Sequence, residues 1–161
     1  MSDNKDGVSS QAGQGFLDCV VLLVDGSEAG ERAARFAVQL AQKIGCRVLA
    51  VYPVNTASMD YLLQMHIFVS EEKEDFEKAI EQKGEGYLRR IRALGEINGI
   101  AVETSLVRGR LHEAIMKHAT RNHAKAILLG NWRTGRKSKD LSSAERELIL
   151  ELAEQPVFVI R

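Results

Sequence analysis

The sequence predicts a doubly wound α/β domain built on a five-stranded parallel sheet with helices on both faces. Three observations carry that expectation. Short, β-branched apolar runs stop at turn residues, as strands buried on both faces of a parallel sheet do. Longer stretches between them place apolar residues at helical spacing. The two kinds of segment alternate along the chain, which calls for right-handed crossovers and a parallel sheet.

Residues 17–25 (LDCVVLLVD) form the first such run, closed by Asp25-Gly26-Ser27. The period then changes. Ala33, Ala37, Leu40, Ala41 and Ile44 share one helical face, with Ser27 placed as N-cap and Gly45 just past the C-terminus. Residues 47–54 read as the second strand. The connector 55–70 is too apolar for an open loop and suits either a short helix or a cover over a cleft; its Met and aromatic content also suits a contact surface. A helix follows over 71–98, weakened in its middle by Gly84 and Gly86, where a bend is admissible. Residues 101–107 alternate apolar and polar, the pattern of a sheet edge. A helix face at Leu111, Ala114, Ile115, His118 and Ala119 leads to a buried strand at 126–130. Ser142 and Glu145 read as a capping box before a helix carrying Leu148, Ile149 and Leu152. Gln155-Pro156 ends it, and 157–160 (VFVI) is the last strand.

Composition narrows the function classes. The 161 residues suffice for one domain with its own core. Twenty-two cations balance twenty-two acids, which argues against a general nucleic-acid or membrane-surface binder. The two cysteines are too few for a disulfide scaffold, and no apolar run reaches the length of a membrane span. Residues 1–15 are polar, lack the apolar core of a signal peptide and are expected to be a flexible tail before a domain at 16–161. A cytoplasmic location is the expectation.

In a sheet of this winding, ligands sit outside the carboxyl ends of the strands, where strand order reverses beside the first strand. With the fourth strand as the first strand's other neighbour, the facing loops are Asp25-Gly26-Ser27 and residues 130–139. The second loop holds Arg133, Arg136, Lys137 and Lys139 and no acid, whereas 71–77 holds five acids and one lysine. Cations beside a helix N-terminus favour an anion such as phosphate; the plain alternative is a solvated surface loop. The loop is not a Walker A motif, because Arg136 follows Gly135 where that motif requires lysine.

Three stretches resemble the universal stress protein family: VLLVDGSEAGERAARFAVQLAQKIGCRVLAVYPV, AKAILLGNWRTG and LILELAEQPVFVIR. The resemblance spans about residues 16–161. It implies the strand order 3-2-1-4-5 and homodimers, often paired through the last strand, here 157–160. Nucleotide-binding members carry G-x2-G-x9-G-[ST] between the fourth strand and the following helix, with an Asp after strand 1 and a Val at the end of strand 2. Asp25, Val51 and Gly130 match. Arg133, Ser143 and Ala144 replace the second glycine, the third glycine and the hydroxyl residue. A side chain at 133 either obstructs phosphate or contacts it through its guanidinium. The implied ligand is ATP, ADP or AMP with Mg. The leading expectation is a dimeric regulatory module that senses such a nucleotide through Asp25, Val51, Gly130, Arg133 and Ser143. The alternatives are a nucleotide-free interaction protein, or a slow ATPase or self-phosphorylating protein using Ser142, Ser143 or Thr134.

Other residues carry less. Trp132 suits stacking on a base, or packing over the loop or a partner. His112, His118 and His123 do not share a helical face, so no metal site is expected; His66 has no visible partner. Cys19 and Cys46, near the starts of neighbouring strands, are expected to be buried thiols, with a redox pair as the minor alternative.

Overall fold

The five residues of β1 (Cys19–Leu23) are all buried because the strand is flanked on both sides and covered on both faces. The computed structural model describes residues 15–67, 70–133 and 141–161. After β1 come α1 (Glu28–Ile44), β2 (Arg47–Val54), α2 (Thr56–Gln64), α3 (Ser70–Ile97), β3 (Val102–Arg108), α4 (Leu111–Arg121), β4 (Ala126–Gly130), α5 (Leu141–Leu152) and β5 (Val157–Ile160). The sheet is wholly parallel, in the order β3-β2-β1-β4-β5, so the expected winding holds.

Pleating divides the core in two. Val20, Leu22 and Val24 point toward the Ala-rich face of α1 and toward Leu88 and Ile91 of α3. Cys19, Val21 and Leu23 point the other way, toward Leu111 and Ile115 of α4 and Ile149 of α5. The outer strands β3 and β5 each pair on one side only. The half-exposed pattern over 101–107 was therefore an edge signal.

Local chemistry sets the helix ends. The Ser27 hydroxyl accepts from Gly30 N–H at 2.9 Å and caps α1. Gly45 ends it in the left-handed region at φ 72°, its N–H bonded to Ala41 O at 2.8 Å. The connector 55–70 contains α2, a short helix tied to α3 by Lys73 and Asp60 at 2.9 Å. α3 runs through Gly84 and Gly86 without a break in the helix. Gly84 is explained by Tyr52, whose ring occupies the space a Cβ would need.

One local expectation fails. α5 begins at Leu141, so Ser142 lies inside the helix and is not its N-cap. Glu145, cast as its capping partner, turns instead into the protein and binds α4. Residues 1–14, which make up nearly all of the expected tail, and loop residues 134–140 lie outside the described residues. Among the described residues no helix is long and apolar enough to cross a membrane.

Candidate functional site

Asp25 leaves the end of β1 where β2 and β4 diverge, just before Gly26 takes a left-handed φ of 74°. Its Oδ1 accepts from Ser27 N–H at 2.9 Å and from the Ser27 hydroxyl at 2.6 Å. Its Oδ2 accepts from Arg146 Nη2 of α5 at 2.6 Å. The Arg146 side chain is only 7% exposed and that of Asp25 17%, so this ion pair is largely desolvated. Gly30 makes the arrangement possible, because a Cβ there would collide with Asp25 Oδ1. Asp25 is thus held from two directions, by its own turn and by α5.

Gly130 closes β4 directly against the backbone of Ala29 and Gly30, leaving no room for a side chain. The approach of α1 by itself requires glycine here. Arg133 is exposed. Its N–H donates to Asn131 Oδ1 at 3.0 Å, and its guanidinium forks onto Glu147 of α5, with Nη2 at 2.8 Å from both carboxylate oxygens. The same guanidinium lies 5.3 Å from the Trp132 ring centroid. Trp132 itself is partly buried and packs on the α4/α5 core, a role its sequence did not announce. Ser143 is buried in the first turn of α5, and Ala144 is exposed.

Asp25, Gly130, Arg133 and Ser143 therefore collect at one end of the sheet around the N-terminal half of α5. Val51 sits deeper. It is fully buried in the α4/α5 core, and its carbonyl accepts from Val24 N–H at 2.9 Å. Three of the four loop cations, Arg136, Lys137 and Lys139, lie outside the described residues.

Sequence reasoning missed the residue beside Arg146. Glu145 accepts from His112 N–H at 3.1 Å, from the His112 ring through Nδ1, and from Arg110 Nη2 at 3.1 Å. Burial pushes the Glu145 carboxyl up, but these donors outweigh it and leave it below the usual carboxylate range. An ionised Glu145 requires the proton on His112 Nδ1, which fixes the ring's tautomer. The available signal was positional: Glu145 and Arg146 fall on the same helical face as Ile149, where a charge needs a buried partner.

No group of three or more His, Cys, Asp or Glu among the described residues is placed to hold a metal. Cys19 packs on the α4/α5 side and Cys46 on the α1/α3 side, so the two free thiols face away from each other across the sheet. Burial raises both thiol pKa values.

Comparison with known proteins bears on this geometry. The model of the family described as the universal stress protein family matches residues 18–161. A curated universal stress protein of Methanocaldococcus jannaschii is 21% identical over 149 residues, covering 92% of this chain and 85% of that protein. A universal stress protein family structure from Burkholderia pseudomallei superposes with a TM-score of 0.70 at 21% identity, covering 90% of this chain and 96% of the other. A universal stress protein from Archaeoglobus fulgidus in complex with dAMP superposes with a TM-score of 0.62 at 22% identity, covering 90% and 98%.

Proposed function

Because this chain belongs to the universal stress protein family, we propose that it is a stress-response binding module that takes an adenine nucleotide at the carboxyl ends of β1 and β4. Asp25 is the observation that carries this reading. A carboxylate offers about four lone-pair directions. Ser27 and Arg146 use three of them, so Oδ2 keeps one acceptor position for a ribose hydroxyl. The residues fit at the phosphate end as well. The first turn of α5 presents backbone N–H groups and the positive end of its dipole. Arg133 is held by an exposed pair with Glu147, and such pairs are worth only about 0–1 kcal/mol, so a phosphate competes for it. The dAMP complex of the Archaeoglobus fulgidus relative supports an adenine nucleotide as the ligand class.

In this reading Asp25 orients the nucleoside, Arg133 and the α5 turn receive the phosphates, and Ser143 lines the turn. Val51 backs the site through the strand that supports Val24. Gly130 sets the distance between the end of β4 and the first turn of α1. The protein acts as a homodimer through β5, whose outer edge is unpaired among the described residues and carries the exposed Val159.

Calorimetry with AMP, ADP and ATP, each with and without magnesium, tests the ligand. Saturable binding is expected, and an absence of heat at millimolar nucleotide would sink the proposal in favour of a nucleotide-free interaction protein. Release of inorganic phosphate from ATP would instead promote the slow ATPase. Arg133→Ala should weaken binding about tenfold or more, the worth of one charge-assisted hydrogen bond, whereas Glu147→Gln should tighten it by freeing the guanidinium. Light scattering tests the dimer: the expected mass is twice the chain's, and Val159→Lys should halve it.

A further inference from the structure

The α1/α3 side of the sheet contains a groove of about 320 Å³ that meets the proposed nucleotide site only at Asp25 and its turn. Its volume lies at the lower end of the roughly 300–1,000 Å³ typical of small-molecule sites. Val24 and Ala34 lie at its inner wall, and Ile91, Leu94 and Ile97 of α3 line the other side. The Tyr87 ring closes one end by lying against Gly26, where any side chain would collide with it. At the other end lies Ile97, which is 83% exposed.

The rim has a definite charge. Glu31 of α1 and Arg90 of α3 pair at 2.9 Å, which also bridges the two helices across the groove. Asp25, the second acid of the lining, is neutralised by Arg146. Arg35 is exposed, lines the same cavity and has no ion-pair partner among the described residues. With both acids compensated, the one uncompensated charge at the rim is a guanidinium, which pairs with carboxylate in fork geometry.

We propose that this groove binds a small amphipathic carboxylate, with an aliphatic body between Ala34 and the Ile91–Leu94–Ile97 face of α3 and its carboxylate on Arg35. The groove shares Asp25 with the proposed nucleotide site, whose other groups, Arg146 and α5, approach that residue from the opposite face of the sheet.

The test titrates the full chain with decanoate below its micelle concentration, followed by heteronuclear NMR. Decan-1-ol and decyltrimethylammonium serve as probes with the same tail. One-to-one saturable binding of decanoate is expected, with shifts centred on α1 and α3 and at least tenfold weaker binding of the cationic probe. Ala93→Trp places a bulky ring in the groove from an exposed helix position and should abolish binding. Arg35→Glu should weaken decanoate at least tenfold and reverse the preference for the cation. Thermal melts of both variants should match the parent, since both positions are exposed. Non-saturable binding, equal affinity for the cationic probe, or decanoate affinity unchanged in both variants would overturn the proposal. An AMP titration run in parallel separates this outcome from failure of the nucleotide reading.

Discussion

The two faces of the sheet solve the same packing problem with opposite materials. On the α1/α3 face, small residues let helix and strand approach closely: Ala33, Ala34, Ala37 and Ala41 lie on the sheet. On the α4/α5 face, charged and polar side chains are drawn inward: His112, Glu145 and Arg146 are each only 6% exposed. The first face gains from apolar area and tight spacing, and leaves a groove where its two helices part. The second binds its helices to each other and to β1 through directional bonds. Buried polarity thus concentrates beside the end of β1, while the opposite face is free to be apolar.

This contrast is sharpest when broken. Glu145→Ala strands the buried His112, whose N–H and ring both lose their acceptor, while the half-exposed Arg110 turns to water; each buried donor left unsatisfied costs about 1–3 kcal/mol. Urea denaturation should show that loss, and replacing Glu145 and His112 together by Leu and Phe should recover most of it. A polar change of similar size on the α1/α3 face has no partner to strand. There, Leu88→Ala should cost about 2–5 kcal/mol through the cavity it leaves, and no second substitution of a charged residue should rescue it.

Gly30→Ala is expected to be smaller, about 1–3 kcal/mol of overpacking, but aimed at the site. The new methyl pushes on Asp25 Oδ1, so nucleotide affinity should fall more than stability does. If calorimetry shows affinity unchanged, Asp25 does not orient the nucleoside.

The pH response should also belong to the α4/α5 face. The folded pKa of Glu145 is depressed, so its contribution is present above the unfolded carboxyl value of about 4.3 and is lost as pH falls through the folded value. Stability measured from pH 6 downward should therefore drop less steeply below about pH 4.3 in Glu145→Gln than in the parent. The smallest effect concerns the thiols. Burial raises both, so neither Cys19 nor Cys46 should react quickly with a thiol reagent in the native state, and peroxide should not join them. Mass spectrometry that found a Cys19–Cys46 disulfide would show that the strand starts open readily.

Most of the fold was legible because its signals are local. Strand runs such as AILLG, the Ser27 cap and the Gly45 stop each depend on a few consecutive residues. The alternation over 101–107 announced an edge for the same reason. The site was legible in outline only. Asp25 and Gly130 could be placed at the switch point, but the reason for Gly130 is the backbone of α1, a hundred residues earlier in the chain. Arg146 meets Asp25 across 121 positions, and nothing near either residue names the other. The mistaken capping box at Ser142 and Glu145 had the same origin. A spacing of three suits a cap, but it also suits a helical face, and the buried His112 on another helix decides between them.

The contact of Gly130 with Ala29 and Gly30 has a further consequence. Helix and strand meet there backbone to backbone, with no rotamer between them to adjust. The spacing between the end of β4 and the first turn of α1 is therefore a fixed gauge, set by atomic radii. Substitutions elsewhere can change what surrounds that contact, but only the insertion of a side chain at it can change how close the two backbones lie.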